Sequence, residues 1–191
     1  MNYFTNDWFS DSAIMYDILN DLTLYTGQDR SGSKIFIKND RKVKKPQSCK
    51  FGCTWRQKIG KNIRSYCPIL KGYKTKLYEE HPELFDVFNE YRDLYFKDFK
   101  FDSVTINYMS VGSSMKQHFD KVNVGESVLC AYGEYKGGNT FIQNIKNNNY
   151  TIYDARDSPI IFNGATRRHF VNTISEGERF SLVFYNSKNK F

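Results

Sequence analysis

The stretch RFSLVFYN, residues 179–186, decides the fold. Side chains along a strand leave alternately to opposite faces, so Phe180, Leu182 and Phe184 form one apolar face while Arg179 and Ser181 share the other. Working back from it, the second half of the chain reads the same way. FDSVTINYMSV, SVLCAYG, NTFIQNI, YTIYDA, SPIIFNG and RHFVNTI are short runs rich in β-branched and aromatic residues, separated by Gly, Asn, Asp and Pro. Seven or eight such strands predict a double-sheet jelly roll.

The first hundred residues differ. DSAIMYDILNDLTLY places Ile14, Ile18, Leu19 and Leu22 at helical spacing behind an Asp11/Ser12 cap, and HPELFDVFNEYRDLYF does so with Leu84, Phe85, Phe88, Tyr91 and Tyr95. Between them, residues 38–70 are Lys- and Arg-rich, are broken by Gly and Pro, and read as loops and short strands. The expected organisation is an α+β chain. Residues 1–100 form a helical and basic-loop elaboration packed on one sheet of a β core at 101–191, the whole being one compact domain.

At 191 residues the chain is long enough to bury a substantial core without disulfides. Its four cysteines, Cys49, Cys53, Cys67 and Cys130, are too few and too scattered for a stapled secreted scaffold. The N-terminus lacks the basic and apolar regions of a signal peptide, and no window approaches the length of a membrane span, so a soluble intracellular chain is expected. The net charge of +7 suits a polyanionic partner such as nucleic acid, and equally a solvated basic surface. Abundant Lys, Asn, Tyr and Phe fit an AT-rich genome, such as that of a large virus.

Chemistry concentrates at MKQHFDKVN, residues 115–123. On a strand His118 and Asp120 would point together, and an imidazole and a carboxylate can share one metal. Alone, the pair reads more readily as a polar strand end. His169, about 50 residues on in TRRHFVNT, completes two histidines and one carboxylate, the facial triad of non-haem Fe(II) oxygenases. Arg179 can fork onto a carboxylate, with the Ser181 hydroxyl adding a bond, which suits the far end of a dicarboxylic co-substrate. A lone strand arginine in a surface salt bridge would look the same.

Taken jointly, H-x-D, a distant His, and R-x-S ten residues beyond it resemble the Fe(II)- and 2-oxoglutarate-dependent dioxygenase superfamily over about residues 101–187. That resemblance implies a double-stranded β-helix in which His118, Asp120 and His169 hold Fe(II), while Arg179 and Ser181 hold the far carboxylate of 2-oxoglutarate. It also implies consumption of O2 and hydroxylation of a substrate C–H bond. TINYM resembles the strand that carries an N-x-Y pair against the co-substrate. Asn107 fits the first place, but the second falls on Met109, and alternation turns Tyr108 to the opposite face unless a bulge intervenes.

Asn123, three residues after Asp120, together with the Gly137-Gly138 turn and the closing RFSLVFY, looks like the TET/JBP branch of nucleobase oxygenases. By that likeness the substrate is the methyl group of thymine or 5-methylcytosine in nucleic acid, DNA ahead of RNA, with Asn123 near the pocket mouth. A turn-stabilising Asn is the other reading of that residue. Alternation points Arg167 into the cavity beside His169. The basic residues Lys42, Lys44, Lys45, Lys50, Arg56, Lys58, Lys61 and Arg64, interleaved with Phe51, Trp55 and Tyr66, offer phosphate contacts and a stacking surface.

Prolyl and lysyl hydroxylases share the same frame, often with Lys replacing the Arg. AlkB-like demethylases share it too, with a second Arg where this chain has Tyr185. No protein partner is called for. Cys49, Cys53 and Cys67, with His81, offer donors for zinc, but no second tight pair exists and ordinary thiols are the simpler reading.

Overall fold

The computed structural model describes residues 3–22 and 81–188, with the backbone of the strands at 47–54, 56–60, 63–67 and 73–74. Helix α1 spans Trp8–Leu22 and α2 spans Leu84–Tyr95. The cap of α1 differs from the expected one. Asp7 accepts the Ser10 amide at 2.8 Å, so the helix begins a turn earlier. Asp11 instead lies buried within the helix, where its carboxylate accepts bonds from the Thr5 and Asn6 amides and from the Tyr95 hydroxyl.

The strands are β1 (Gln47–Thr54), β2 (Arg56–Gly60), β3 (Ile63–Cys67), β4 (Tyr73–Lys74), β5 (Ser103–Ser110), β6 (Met115–His118), β7 (Asn123–Tyr132), β8 (Tyr135–Gly137), β9 (Thr140–Gln143), β10 (Tyr150–Tyr153), β11 (Ile160–Phe162), β12 (His169–Val171) and β13 (Ile174–Ser187). The larger sheet runs β11-β7-β13-β5-β1-β4, with β8 also on β13, and the smaller runs β10-β9-β12-β6. All pairings are antiparallel. This is an α+β double-stranded β-helix with its helices on the larger sheet. β1 pairs with β5 from Gln47↔Tyr108 to Gly52↔Ser103, so the N-terminal half contributes a sheet strand as well as helices.

Alternation divides the larger sheet into two faces. Val104, Ile106, Val128, Cys130, Phe180, Leu182 and Phe184 pack with Met15, Leu19, Phe88 and Tyr91 of the helices in one apolar cluster. Met109, Leu129 and Ala131 face the other way and join Ile142, Phe162 and Val171 in a second cluster between the sheets. Side chains of the same strand thus serve two cores.

Candidate metal and anion site

His118 ends β6 and His169 opens β12, directly opposite each other in register. Their rings lie 4.2 Å apart. Each δ nitrogen is bonded to the backbone carbonyl two residues back, His118 to Lys116 at 2.7 Å and His169 to Arg167 at 3.0 Å. A carbonyl only accepts, so both Nδ1 atoms donate and both Nε2 atoms are left for the site.

Asp120 lies past the strand end, in a turn fixed by its amide on the Gly164 carbonyl and by the Asn123 amide on its own carbonyl, each at 2.9 Å. Its carboxylate faces both imidazoles, Oδ1 being 3.5 Å from His118 Nε2 and Oδ2 3.3 Å from His169 Nε2. All three ligand atoms fall within 4.8 Å of one another. Three electron-pair donors converging in this way require protons or a cation between them. The protonation behaviour agrees. The bond to Asp120 raises the His118 pKa; burial pushes the Asp120 carboxyl up, and the two imidazoles overcome this to hold it well below the usual carboxylate range. Two imidazoles and one carboxylate on one side are a donor set that suits a divalent iron-type cation with positions left open. Gly164 makes the approach possible, since a Cβ there would lie 2.6 Å from Asp120 Oδ2.

A cavity of about 230 Å³ between the sheets joins these residues to Arg179 and Ser181. Arg179 is 1% exposed. Its Nη2 donates to Thr140 Oγ1 at 3.4 Å, Nη1 rests 3.8 Å from Met109 Sδ, and Nε has no partner. No carboxylate of the described residues pairs with it. A buried guanidinium in that state is costly, and an anion entering the cavity would supply the compensating charge.

Asn107 also lines the cavity, opposite Ser181 in register, with Nδ2 3.4 Å from the serine oxygen. Tyr108 does not line it. With no bulge between β5 and β13 at this point, its ring turns to the helix side, packs on Phe180 and donates to Glu178 Oε2 at 2.7 Å. Asn123 lines the cavity but is buried, and its Nδ2 lies 3.0 Å from Ser127 Oγ and 3.5 Å from Asp120 Oδ2.

Arg167 does not point in with His169. Residues 163–167 form a turn, in which the Thr166 and Arg167 amides both donate to Asn163 O, so strand alternation does not reach back past the start of β12. The Arg167 guanidinium bonds the Gln143 carbonyl instead, and its contribution to the site is the backbone oxygen that orients His169. The side chains of Cys49, Cys53 and Cys67 and of the basic segment from Lys42 to Arg64 lie outside the described residues.

Several lining residues were not singled out from sequence as site residues: Tyr185 and Val183 follow Arg179 and Ser181 on the same face of β13, with Thr105 across from them on β5. Alternation from Arg179 alone would have found Tyr185.

No family model matches the sequence, and no curated protein matches it. Among solved structures the chain is similar to NgTET1 in complex with 5mC DNA, at 16% identity and a TM-score of 0.52, over 81% of this chain and 64% of that one. It thus spans less than two thirds of the NgTET1 chain. A 2OG-Fe(II) oxygenase family oxidoreductase from Burkholderia pseudomallei aligns over 57% of this chain and 58% of its own, at 19% identity and a TM-score of 0.44. A Pseudomonas putida prolyl-4-hydroxylase aligns over 45% and 54%, at 15% and 0.37. What the first of these likenesses establishes is the fold, an α+β chain built on a double-stranded β-helix.

Proposed function

We propose that this protein is an Fe(II)- and 2-oxoglutarate-dependent oxygenase that hydroxylates a C–H bond, its substrate being the 5-methyl group of thymine or 5-methylcytosine in nucleic acid. The observation that carries the reading is one cavity lined both by a converging His-Asp-His set and by a buried arginine that no carboxylate of the described residues pairs with. His118, Asp120 and His169 would hold the iron, which with the keto acid and O2 supplies the oxidation, the substrate C–H becoming C–OH as succinate and carbon dioxide leave.

The chain's own residues do the rest. Arg179 binds the far carboxylate with two N–H groups, and Thr140 and Ser181 offer hydroxyls beside it. Val183 and Tyr185 wall the same cavity, an apolar group and a flat ring against which a flipped pyrimidine can stack. Asn107 and Asn123 add amides. The DNA held by NgTET1 supports the choice of a nucleobase over a peptide.

The test is anaerobic binding of Fe(II) and 2-oxoglutarate, then succinate release once oxygen is admitted, with and without thymine- or 5-methylcytosine-containing DNA. Succinate formation stimulated by DNA, and abolished in His118→Ala and Arg179→Ala, is the expected result. Binding without DNA stimulation moves the substrate to RNA or a peptide. No metal-dependent keto-acid binding overturns the oxygenase reading.

A further inference from the structure

Behind Arg179 lies a cluster that the proposed reaction does not use. Tyr135, 6% exposed, opens β8 and does not line the cavity. The Arg179 guanidinium carbon lies 5.9 Å from the centre of its ring, and that of Arg156 lies 4.2 Å from it. Arg156 also donates to the Tyr135 carbonyl at 3.2 Å and grips Asp154, with Nη2 on Oδ2 at 2.6 Å and Nε on Oδ1 at 3.0 Å. The Tyr135 hydroxyl reaches Asp154 Oδ1 at 3.4 Å, closing the cluster. Trp8 of α1 pins it from outside by donating Nε1 to the Arg156 carbonyl at 2.7 Å. Gly138 leaves the room for it. At φ +67, a Cβ there would sit 3.1 Å from both Arg179 Cδ and the Tyr135 ring.

Two physical problems meet at this spot. A long arginine side chain must be held in one orientation, although the hydrogen bonds its head donates, to Thr140 Oγ1 and Met109 Sδ, are weak. Asp154, a carboxylate whose charge also reaches Arg179, is held instead by Arg156. We propose that Tyr135 is a positioning residue for the anion-binding end of the cavity. Its ring, braced by Arg156, aims the Arg179 guanidinium into the cavity, and Arg156 occupies Asp154 so that Arg179 stays available to an incoming carboxylate. The inference rests on the oxygenase reading, in which that carboxylate is the far end of 2-oxoglutarate.

The experiment compares anaerobic binding of 2-oxoglutarate and of 2-oxopentanoate, which lacks the far carboxylate, to the full chain loaded with Mn(II), by titration calorimetry. Wild type should prefer 2-oxoglutarate by about ten- to a hundredfold, the worth of charge-assisted hydrogen bonds. Tyr135→Leu should collapse that preference toward the level of Arg179→Met while leaving 2-oxopentanoate binding unchanged, and the two substitutions together should lose no more than Arg179→Met alone. Tyr135→Phe keeps the ring and should keep most of the preference.

Arg156→Met should weaken 2-oxoglutarate selectively by freeing Asp154, and Asp154→Asn in that background should restore it. Tyr135→Leu retaining the preference, or weakening both keto acids equally, overturns the inference. So does Arg156→Met left unrescued by Asp154→Asn. A wild type with no preference between the two acids instead overturns the reading on which it rests.

Discussion

The two faces of β13 are buried alike and do opposite things. On one, Phe180, Leu182 and Phe184 are wholly buried, and Phe184 meets Phe88, Phe96 and Phe101 edge-on at 5.0 to 5.9 Å. On the other, Arg179 and Ser181 are 1% and 2% exposed, yet no carboxylate of the described residues pairs with the first. The apolar face stabilises the fold through area removed from water, while the polar face carries a buried charge at a cost in stability. Placing both on one strand puts the candidate site on backbone paired along both edges, with β5 and with β7.

The comparison breaks most visibly at the metal set. His169→Ala should abolish divalent-metal binding and with it succinate formation, whereas the metal-free protein should lose only about 1–2 kcal/mol, the worth of one imidazole against Asp120 and Phe162. A large loss of stability without metal would mean that the triad is structural. Phe184→Ala should do the reverse. It should cost about 3–5 kcal/mol, lowering the melting temperature by roughly 6–20 °C, with metal and keto-acid affinity per folded molecule unchanged.

Arg179→Met sharpens the contrast by sign. Replacing an unpaired buried cation with an apolar side chain of similar length should leave the fold neutral or more stable by about 1–3 kcal/mol, while 2-oxoglutarate affinity falls at least about tenfold. Denaturant melts and calorimetry on the same sample decide it. Destabilisation would show that Arg179 belongs to the apolar economy of the core.

Alternation was legible along β13 because it depends only on neighbours in the chain, and it separated Arg179 and Ser181 from Phe180, Leu182 and Phe184. The spacing of His118, Asp120 and His169 was legible for a related reason, since a return strand must come back beside its partner. Alternation misled at Arg167, where a turn precedes the strand, and the helix cap fell on Asp7 because a capping carboxylate three residues upstream of Ser10 competes with Asp11. Asp154 and Glu178 had no visible partners in the sequence. Glu178 meets Tyr16, 162 positions away, and although Arg156 is only two residues from Asp154, the ring of Tyr135 that gives their pairing its meaning comes from another strand. Tertiary polar clusters of this kind carry no periodicity.

Glu178 provides the smallest test, because it stitches the apolar side of β13 to α1 beside the arginine. Tyr16 donates to its Oε1 at 2.9 Å and Tyr108 to its Oε2 at 2.7 Å. Burial, and then the Glu178 carboxylate, push the Tyr16 hydroxyl up from 10.0 to about 12. A folded-state value above the unfolded one means that this stabilisation is whole below about pH 10 and is lost as the pH climbs toward about 12, because the unfolded chain ionises first. Tyr16→Phe should therefore cost about 1 kcal/mol near neutrality and flatten the fall of the melting temperature between about pH 9 and 11. An unchanged alkaline slope would remove this hydrogen bond from the account and leave α1 held to the strand by apolar packing, Tyr16 against Phe180 at 5.6 Å beside Met15 and Leu19.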